Sequence, residues 1–329
     1  RRGLPTAAGC AWAAISAEPA AAAIRAVRRR ETLRIAMGAV LGQLDLRSIE
    51  IGLSDLFDSC LNALQILAIK INAVEELDLS IIAMGRYGGR ELGFGSDADV
   101  VFVYSGDPEK AQAAAEIVVS EIRKFAVDPQ LEFELDLDLR PEGKKGPIVR
   151  SLDSYRNYFE RWASTWEFQA LLRARAVTGS AELRQEFTEL IDKFRYPEEL
   201  TASQLTEIRR IKARVETERL PQGADPLRHL KLGRGSISDV EWAVQLMQLQ
   251  FGQNLVELRT VSTLEALEEL SKLGKISPED AAILQAAWLI ASRIRSALVL
   301  WTAKKTDVLP LDRKQLAGAA RLLGYPDGL

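Results

Sequence analysis

The stretch 81–104 constrains the fold more than any other part of the chain, because two apolar runs flank a glycine-rich turn. The second run, Asp99 to Tyr104, is rich in β-branched and aromatic residues and predicts a buried strand. Asp97 and Asp99 lie two residues apart, and strand side chains alternate in direction. The two carboxylates are therefore expected on the same side of the chain, at the mouth of a sheet.

A glycine and a serine directly before these aspartates extend the pattern. Gly95 adds no Cβ, so backbone N–H groups here and at Ser96 can come close to a phosphate. Two neighbouring carboxylates repel each other unless a cation lies between them, and Mg²⁺ favours carboxylate, water and phosphate oxygens. Paired aspartates at a strand end often do no more than solvate a turn. The glycine-serine pair, the flanking strands and a further acidic segment favour instead a site that holds a nucleoside triphosphate through metal.

That acidic segment, Leu131–Arg140, alternates apolar and acidic residues strictly and predicts another strand. Glu132, Glu134, Asp136 and Asp138 would share one face, where like charges repel unless a metal ion or arginines lie opposite. One of these carboxylates would complete a cage with the aspartate pair. Such a cage suits two-metal phosphoryl chemistry, in which attack at an α-phosphate transfers a nucleotidyl group and releases pyrophosphate.

Composition narrows the classes of partner. The 329 residues carry a net charge of -3, without the basic field typical of nucleic-acid binders. Cys10 and Cys60 lie far apart and suggest neither a disulfide framework nor a metal site, which suits a reducing cytoplasm. The single histidine, His229, is expected to be a packing or loop residue rather than a catalyst. No continuous apolar run reaches the roughly 18 residues of a membrane span, so neither nucleic acid nor a membrane is expected as a partner.

Helical patterns on both sides of the acidic strands divide the chain into three predicted parts. These are an N-terminal helical segment (1–76), a small α/β domain (77–150) and a helical domain (151–329), giving an α+β fold class. The alanine-rich start, Arg1 to Ala23, is interpreted as a helical or frayed start rather than a signal peptide, because Glu18 and Pro19 interrupt it. The other predicted helices span about 20–41, from Ser54 onward, 107–125, 153–177, 181–194, 202–220, 238–251, 262–273 and 278–301.

Four stretches carry a resemblance to one family. Gly88 to Asp99 resembles the nucleotidyltransferase signature of the glutamine synthetase adenylyltransferases. Asp136–Gly143, Trp166–Arg175 and Lys231–Trp242 resemble further motifs of that family in the same order. The resemblance implies a nucleotidyltransferase domain of the DNA polymerase beta type over 77–150, followed by a helical domain.

The same resemblance implies an activity. AMP would move from ATP to a tyrosine hydroxyl of glutamine synthetase, with Mg²⁺ or Mn²⁺, as a regulatory step of nitrogen metabolism in the cytoplasm. The PII nitrogen signal protein is a further candidate partner. Full-length members contain two transferase halves, and the form Gly85–Gly93 resembles the C-terminal, adenylylating half of actinobacterial members. The alternatives are the deadenylylating, phosphorolytic half and a non-catalytic module that binds a nucleotide or a partner.

The family pattern also assigns residues. It implies metal ligands and catalytic carboxylates at Asp97, Asp99 and Asp136, although Asp138 stands where many members have arginine and leaves the third carboxylate open. Gly95 and Ser96 would meet the triphosphate. The remaining cofactor-binding assignments, which would close over the site from the helical domain, are Lys231, Asp239, Glu241 and Arg175.

Three of these assignments, Asp239, Glu241 and Arg175, compete with structural roles. Asp239 and Glu241 are two apart on a predicted helix and do not share a face, so one would touch the site while the other caps or pairs locally. Arg173 and Arg175 serve structural ion pairs equally well.

Overall fold

The structure is a computed structural model that describes residues 7–325, with side chains from residue 17 onward. The first helix begins at Ala7, so the alanine-rich start is helical from that residue. The predicted frayed start at residues 1–6 and the side chain of Cys10 lie outside the described residues.

The predicted α+β class is confirmed. The helices are α1 (Ala7–Val40), α2 (Leu46–Ile71), α3 (Gly85–Gly88), α4 (Pro108–Ala126), α5 (Leu152–Arg161), α6 (Thr165–Leu171), α7 (Ala181–Arg195), α8 (Ala202–Glu218), α9 (Ile237–Phe251), α10 (Thr263–Lys272), α11 (Pro278–Thr302) and α12 (Arg313–Leu322). The strands are β1 (Leu79–Ala83), β2 (Ala98–Tyr104), β3 (Leu135–Asp136), β4 (Val149–Ser151) and β5 (Arg175–Ala176).

The strands form one small mixed sheet with β2 at its centre. Strand β1 pairs antiparallel with β2 on one side and with β5 on the other. Strands β3 and β4 both pair parallel with β2, β3 at its N-terminal end and β4 at its C-terminal end. This order places the start of β2, where the aspartates lie, beside β3.

Two hydrophobic clusters cover the sheet, and a third lies among the C-terminal helices. Ile81 and Phe102 belong to the cluster with α1, α2 and α4, and Ile82 and Val103 belong to the cluster with α5 and α7, as expected from strand alternation. Helices α9 to α12 enclose the third cluster around Trp288, which is fully buried.

Helix α11 is long and apolar enough, by length and composition, to cross a membrane. Buried core helices meet the same criterion. Trp288 and Leu298 of α11 are fully buried, and the helix packs against α9, α10 and α12.

The predicted acidic strand over Leu131–Arg140 is wrong in its extent, since only Leu135 and Asp136 pair with β2. Arg28 of α1 donates hydrogen bonds to the carbonyl oxygens of Leu131 and Glu132, which removes them from strand pairing. After β3 the Asp138 N–H donates to the Asp136 carboxylate at 2.7 Å, and the chain turns. Side-chain and tertiary hydrogen bonds therefore override the alternating pattern.

The predicted helix over 153–177 is also wrong in its extent. A capping box at Ser164 and Glu167 starts a new helix, and the end of the segment forms the edge strand β5. Similarly, Asp45 caps α2, whereas the predicted cap Ser54 lies inside that helix and donates to the Glu50 carbonyl. The sequence prediction also missed α12.

Candidate functional site

Three carboxylates meet at the start of β2. The parallel register sets Asp99 directly beside Asp136, and Asp97 precedes Asp99 by two residues. One carboxylate oxygen from each of the three lies within 4.8 Å of the others. Such an all-oxygen donor set is the kind that Mg²⁺ and Mn²⁺ use.

The environment of Asp99 supports this assignment. Burial raises the pKa of the Asp99 carboxyl to about 7, and the carboxylates of Asp97 and Asp136 act in the same direction. A divalent cation would offset that repulsion. Gly85 makes room for the group, because a Cβ at this position, where φ is +51°, would clash with Asp99 Oδ2. These residues therefore fit a metal ion.

The structure distinguishes the two candidates for the third carboxylate. Asp136 lies in the carboxylate cluster with Asp97 and Asp99. The Asp138 side chain instead pairs with Lys144 at 3.2 Å. Its backbone N–H contributes indirectly, since the hydrogen bond to Asp136 Oδ1 orients that carboxylate.

A tight turn precedes the aspartates. The Ser96 N–H donates to the Gly93 carbonyl at 3.1 Å, and the Gly93 N–H donates to Ser96 Oγ at 3.2 Å. Gly95 has a φ of +73° and lies against Val299 of α11 and against Lys305, which follows the end of that helix. The turn thus adjoins both the carboxylate cluster and the helical part of the chain.

Lys305 is a neighbour of the site that sequence reasoning missed. Its Nζ pairs with Glu134 at 2.8 Å and with Glu132 at 3.0 Å. The acidic row indicated that a cation must lie opposite. Nothing in the pattern identified a lysine some 170 residues away, because only the fold brings α11 to this segment.

Lys231 and Glu241 come from the helical part and act on the carboxylate cluster. The charge of Lys231 lowers the pKa of Asp99, and that of Glu241 raises it. Lys231 is exposed, and its carbonyl accepts hydrogen bonds from Ser236 Oγ at 2.8 Å and from the Ser238 N–H at 3.0 Å. The loop that carries this lysine is therefore held in place by its own backbone.

The same loop depends on His229. The imidazole is 5% exposed, and its Nδ1 accepts hydrogen bonds from the backbone N–H groups of Leu232 and Lys231. Burial lowers the pKa of His229 from its usual value. This geometry supports a structural role.

A buried charge network holds Glu241. Arg173 donates to Glu241 at 2.9 Å and to Thr263 Oγ1 at 3.0 Å, and it forms an ion pair with Glu91. Burial opposes ionisation of Glu241, but Arg173 and Arg86 hold the pKa of that carboxyl below its usual range. Arg173 therefore links the glycine-rich turn to α9 and α10.

Two residues of the predicted cofactor set are bound to protein groups. Arg175 forms a two-pronged pair with Asp58 of α2, at 2.7 and 3.0 Å. Asp239 accepts from the Gly235 N–H at 2.6 Å and pairs with Lys212 at 2.5 Å. Asp239 thus stabilises the start of α9, while Glu241, two residues on, faces the charged groups of the site.

The comparisons with known proteins agree with the motifs. The family model described as "Glutamate-ammonia ligase adenylyltransferase" matches residues 8–190, and the model "GlnD PII-uridylyltransferase" matches residues 208–328. The chain is 53% identical over 318 residues to the "Bifunctional glutamine synthetase adenylyltransferase/adenylyl-removing enzyme" of Leifsonia xyli, covering 95% of this chain and 32% of the relative.

Two further relatives carry the same description. The Streptomyces avermitilis protein is 52% identical over 256 residues, covering 76% of this chain and 26% of the relative. The Mycolicibacterium smegmatis protein is 45% identical over 316 residues, covering 93% and 32%. The chain spans about a quarter to a third of the length of these curated relatives. It belongs to the glutamate-ammonia ligase adenylyltransferase family.

Proposed function

We propose that this chain is an adenylyltransferase unit that moves AMP from ATP to a tyrosine hydroxyl of glutamine synthetase. The carboxylate cluster of Asp97, Asp99 and Asp136 carries the proposal, because one oxygen of each lies within 4.8 Å of the others beside a glycine-serine turn. The relatives' description names both adenylyl transfer and adenylyl removal. Residues 77–150 would form a nucleotidyltransferase domain of the polymerase-beta type.

The residues divide the chemistry between them. Mg²⁺ or Mn²⁺ held by the three carboxylates would supply Lewis-acid activation of the α-phosphate and of the attacking oxygen. Gly95 would meet the triphosphate through its backbone N–H group and Ser96 through its hydroxyl, since the Ser96 N–H already donates to the Gly93 carbonyl. Lys231 would neutralise the charge of the triphosphate. A bond forms between the tyrosine oxygen and the α-phosphorus, the bond to the β-phosphate oxygen breaks, and pyrophosphate leaves. A carboxylate of the cluster would accept the tyrosine proton.

The direction of reaction is part of the proposal. The form of the glycine-rich turn favours the adenylylating half. The removing half would use the same carboxylates with phosphate as nucleophile and would release ADP from adenylylated glutamine synthetase. Incubation with adenylylated glutamine synthetase and phosphate therefore distinguishes the two directions by their product.

Transfer from α-labelled ATP to purified glutamine synthetase tests the proposal. With Mg²⁺ or Mn²⁺, Asp97→Asn should reduce labelling by about three orders of magnitude, because loss of a metal ligand removes several kcal/mol of transition-state stabilisation. Asp138→Asn is the matched control, since Asp138 pairs with Lys144 outside the carboxylate cluster, and it should retain labelling. If Asp97→Asn labels glutamine synthetase as wild type does, the carboxylate cluster is not the catalytic centre.

A further inference from the structure

A cavity of about 670 Å³ lies between α6, α8 and α9. We call it the α6–α9 cavity. It is lined by Leu139, Trp166, Gln169, Arg214, Trp242 and Gln245, among other residues. Trp166 and Gln169 lie in one of the family-like motifs, and the site described above uses neither.

Gln169 makes this cavity unusual. The residue is only 4% exposed, and its Nε2 donates to Gln245 Oε1 at 2.8 Å. Its own Oε1 is buried and has no hydrogen-bond partner among the residues that the structure describes. A buried unpaired carbonyl oxygen costs about 1–3 kcal/mol. A ligand that brings an N–H donor to this oxygen would recover that cost.

The hydrogen bond between Gln169 and Gln245 also determines which donor and acceptor groups of the two side chains remain free for a ligand. Once one amide donates to the other, the pair retains one free acceptor, Gln169 Oε1, and an amide nitrogen on Gln245 that can donate. Trp166 and Trp242 give the cavity aromatic surfaces that suit a planar ring. The matching ligand is a flat heterocycle with an amino group next to a ring nitrogen, which describes the edge of adenine.

Three stretches of chain connect the lining of the cavity to residues of the functional site. Leu139 follows Asp136 by three residues, and Gln169 precedes Arg173 by four. Gln245 lies one helical turn, about 6 Å, beyond Glu241, whose charge acts on Asp99. A ribose spans a comparable separation between an α-phosphate and its base.

We propose that the α6–α9 cavity binds the adenine base of ATP and that Gln169 Oε1 accepts a hydrogen bond from its 6-amino group, with Gln245 facing the adjacent ring nitrogen. This inference rests on the proposed function, since it takes the triphosphate to lie at the carboxylate cluster. It adds a base-recognition residue to a site otherwise built from carboxylates and backbone.

Calorimetric binding of two nucleotides to the 329-residue chain tests the proposal. The probes are α,β-methylene ATP, which resists transfer of its α-phosphate, and the matching purine riboside analogue, which lacks the 6-amino group, each with Mg²⁺. Wild type should prefer the adenine analogue by about five- to tenfold, the value of one hydrogen bond. The Gln169→Met variant should bind both analogues equally, because methionine is close to glutamine in shape but has no amide oxygen to accept the hydrogen bond. Gln185→Met on α7, where Gln185 is exposed and pairs with Glu189 of its own helix, should keep the wild-type preference.

The outcomes separate this inference from the proposed function. Equal binding of both analogues by wild type, tighter binding of the purine riboside analogue, or an unchanged preference in Gln169→Met overturns base recognition by Gln169. If Asp97→Asn still weakens nucleotide binding in those cases, the proposed function stands. If wild type binds neither analogue, both proposals fail. The wild-type comparison needs no variant, so the test holds even if Gln169→Met folds poorly.

Discussion

At the scale of single residues, the site depends on a glycine, Gly85, whose lack of a side chain leaves room for the carboxylate of Asp99. Gly85 ends the first apolar run, and the Asp99 carboxylate occupies the space where its Cβ would lie. The positive φ of +51° adds a second reason for glycine, because a Cβ is strained in that backbone region. The steric and the conformational requirement can be separated by experiment.

Gly85→Ala should destabilise the protein by more than its backbone strain alone. Gly42→Ala is the matched control, because Gly42 has a φ of +66° and no described residue lies within 4 Å of a Cβ at this position. It should lower the free energy of unfolding by about 1 kcal/mol. Gly85→Ala adds displacement of Asp99, for which we expect about 1–3 kcal/mol more, together with weaker Mg²⁺ binding. Urea unfolding and calorimetric Mg²⁺ titration of both variants provide the measurements. Equal losses with unchanged Mg²⁺ affinity would contradict the steric role of Gly85.

The tautomer and the pKa of His229 should show directly that its buried ring accepts hydrogen bonds. Since Nδ1 accepts backbone hydrogen bonds, the neutral ring should carry its proton on Nε2, and the pKa of His229 should lie below about 6.5. A lowered pKa means that the unfolded state binds more protons, so the contribution of His229 to stability is full above pH 6.5 and is lost as the pH falls from there through the lower pKa of the folded state. Long-range ¹H–¹⁵N NMR of the one imidazole gives both the tautomer and the pKa. An Nδ1–H tautomer, or a pKa above 6.5, would contradict the structure.

At the scale of elements, the sequence predicted strand β2 and its aspartate pair from local patterns. It failed over Leu131–Arg140, because alternation describes only which residues could share a face. Hydrogen bonds from Arg28 hold the Leu131 and Glu132 carbonyls away from the sheet, and Lys305 pairs with the Glu132 and Glu134 side chains. Those partners lie in α1 and after the end of α11. They are too far away along the chain for a local sequence pattern to identify them. The family pattern had already selected Asp136, with Asp138 left open as the alternative, and the register of β3 sets Asp136 beside Asp99.

Lys305→Gln should loosen the acidic segment with little effect on global stability. Its pairs with Glu132 and Glu134 are largely exposed, so the loss should stay below about 1 kcal/mol. Hydrogen exchange should nevertheless speed up at the Ala98 amide, which donates to the Glu134 carbonyl at 2.9 Å. Lys272→Gln removes a comparable exposed pair with Glu269 inside α10 and should leave that amide unchanged. Unaltered exchange at Ala98 in Lys305→Gln would show that the lysine does not hold the segment.

At the scale of the whole molecule, buried charges join the sheet to the helical part. Arg86 pairs with Glu50 of α2, and Arg173 links Glu91 after the glycine-rich turn with Glu241 of α9. Burial raises the pKa of Glu50 to about 7 in spite of its arginine partner. The loss of solvation on burial therefore outweighs the attraction of Arg86 at this carboxyl. Sequence reasoning allowed a structural ion pair for Arg173. It could not name Glu91 or Glu241 as its partners, since they lie far from it along the chain.

Arg173→Met should therefore lower the free energy of unfolding far more than the removal of an exposed ion pair between the same two regions. The Arg173 and Glu91 side chains are 6% and 2% exposed, and removing one partner of a buried pair leaves an uncompensated charge, at about 3–5 kcal/mol. The Arg47–Glu265 pair also joins α2 to the helical part, but its side chains are 42% and 48% exposed, so Arg47→Gln should cost less than about 1 kcal/mol. Adding Glu91→Gln to Arg173→Met should recover part of the loss, because the unpaired carboxylate disappears. Urea unfolding of wild type, Arg47→Gln, Arg173→Met, Glu91→Gln and the double variant measures these differences. Additive losses in the double variant would mean that Arg173 and Glu91 do not act as a pair.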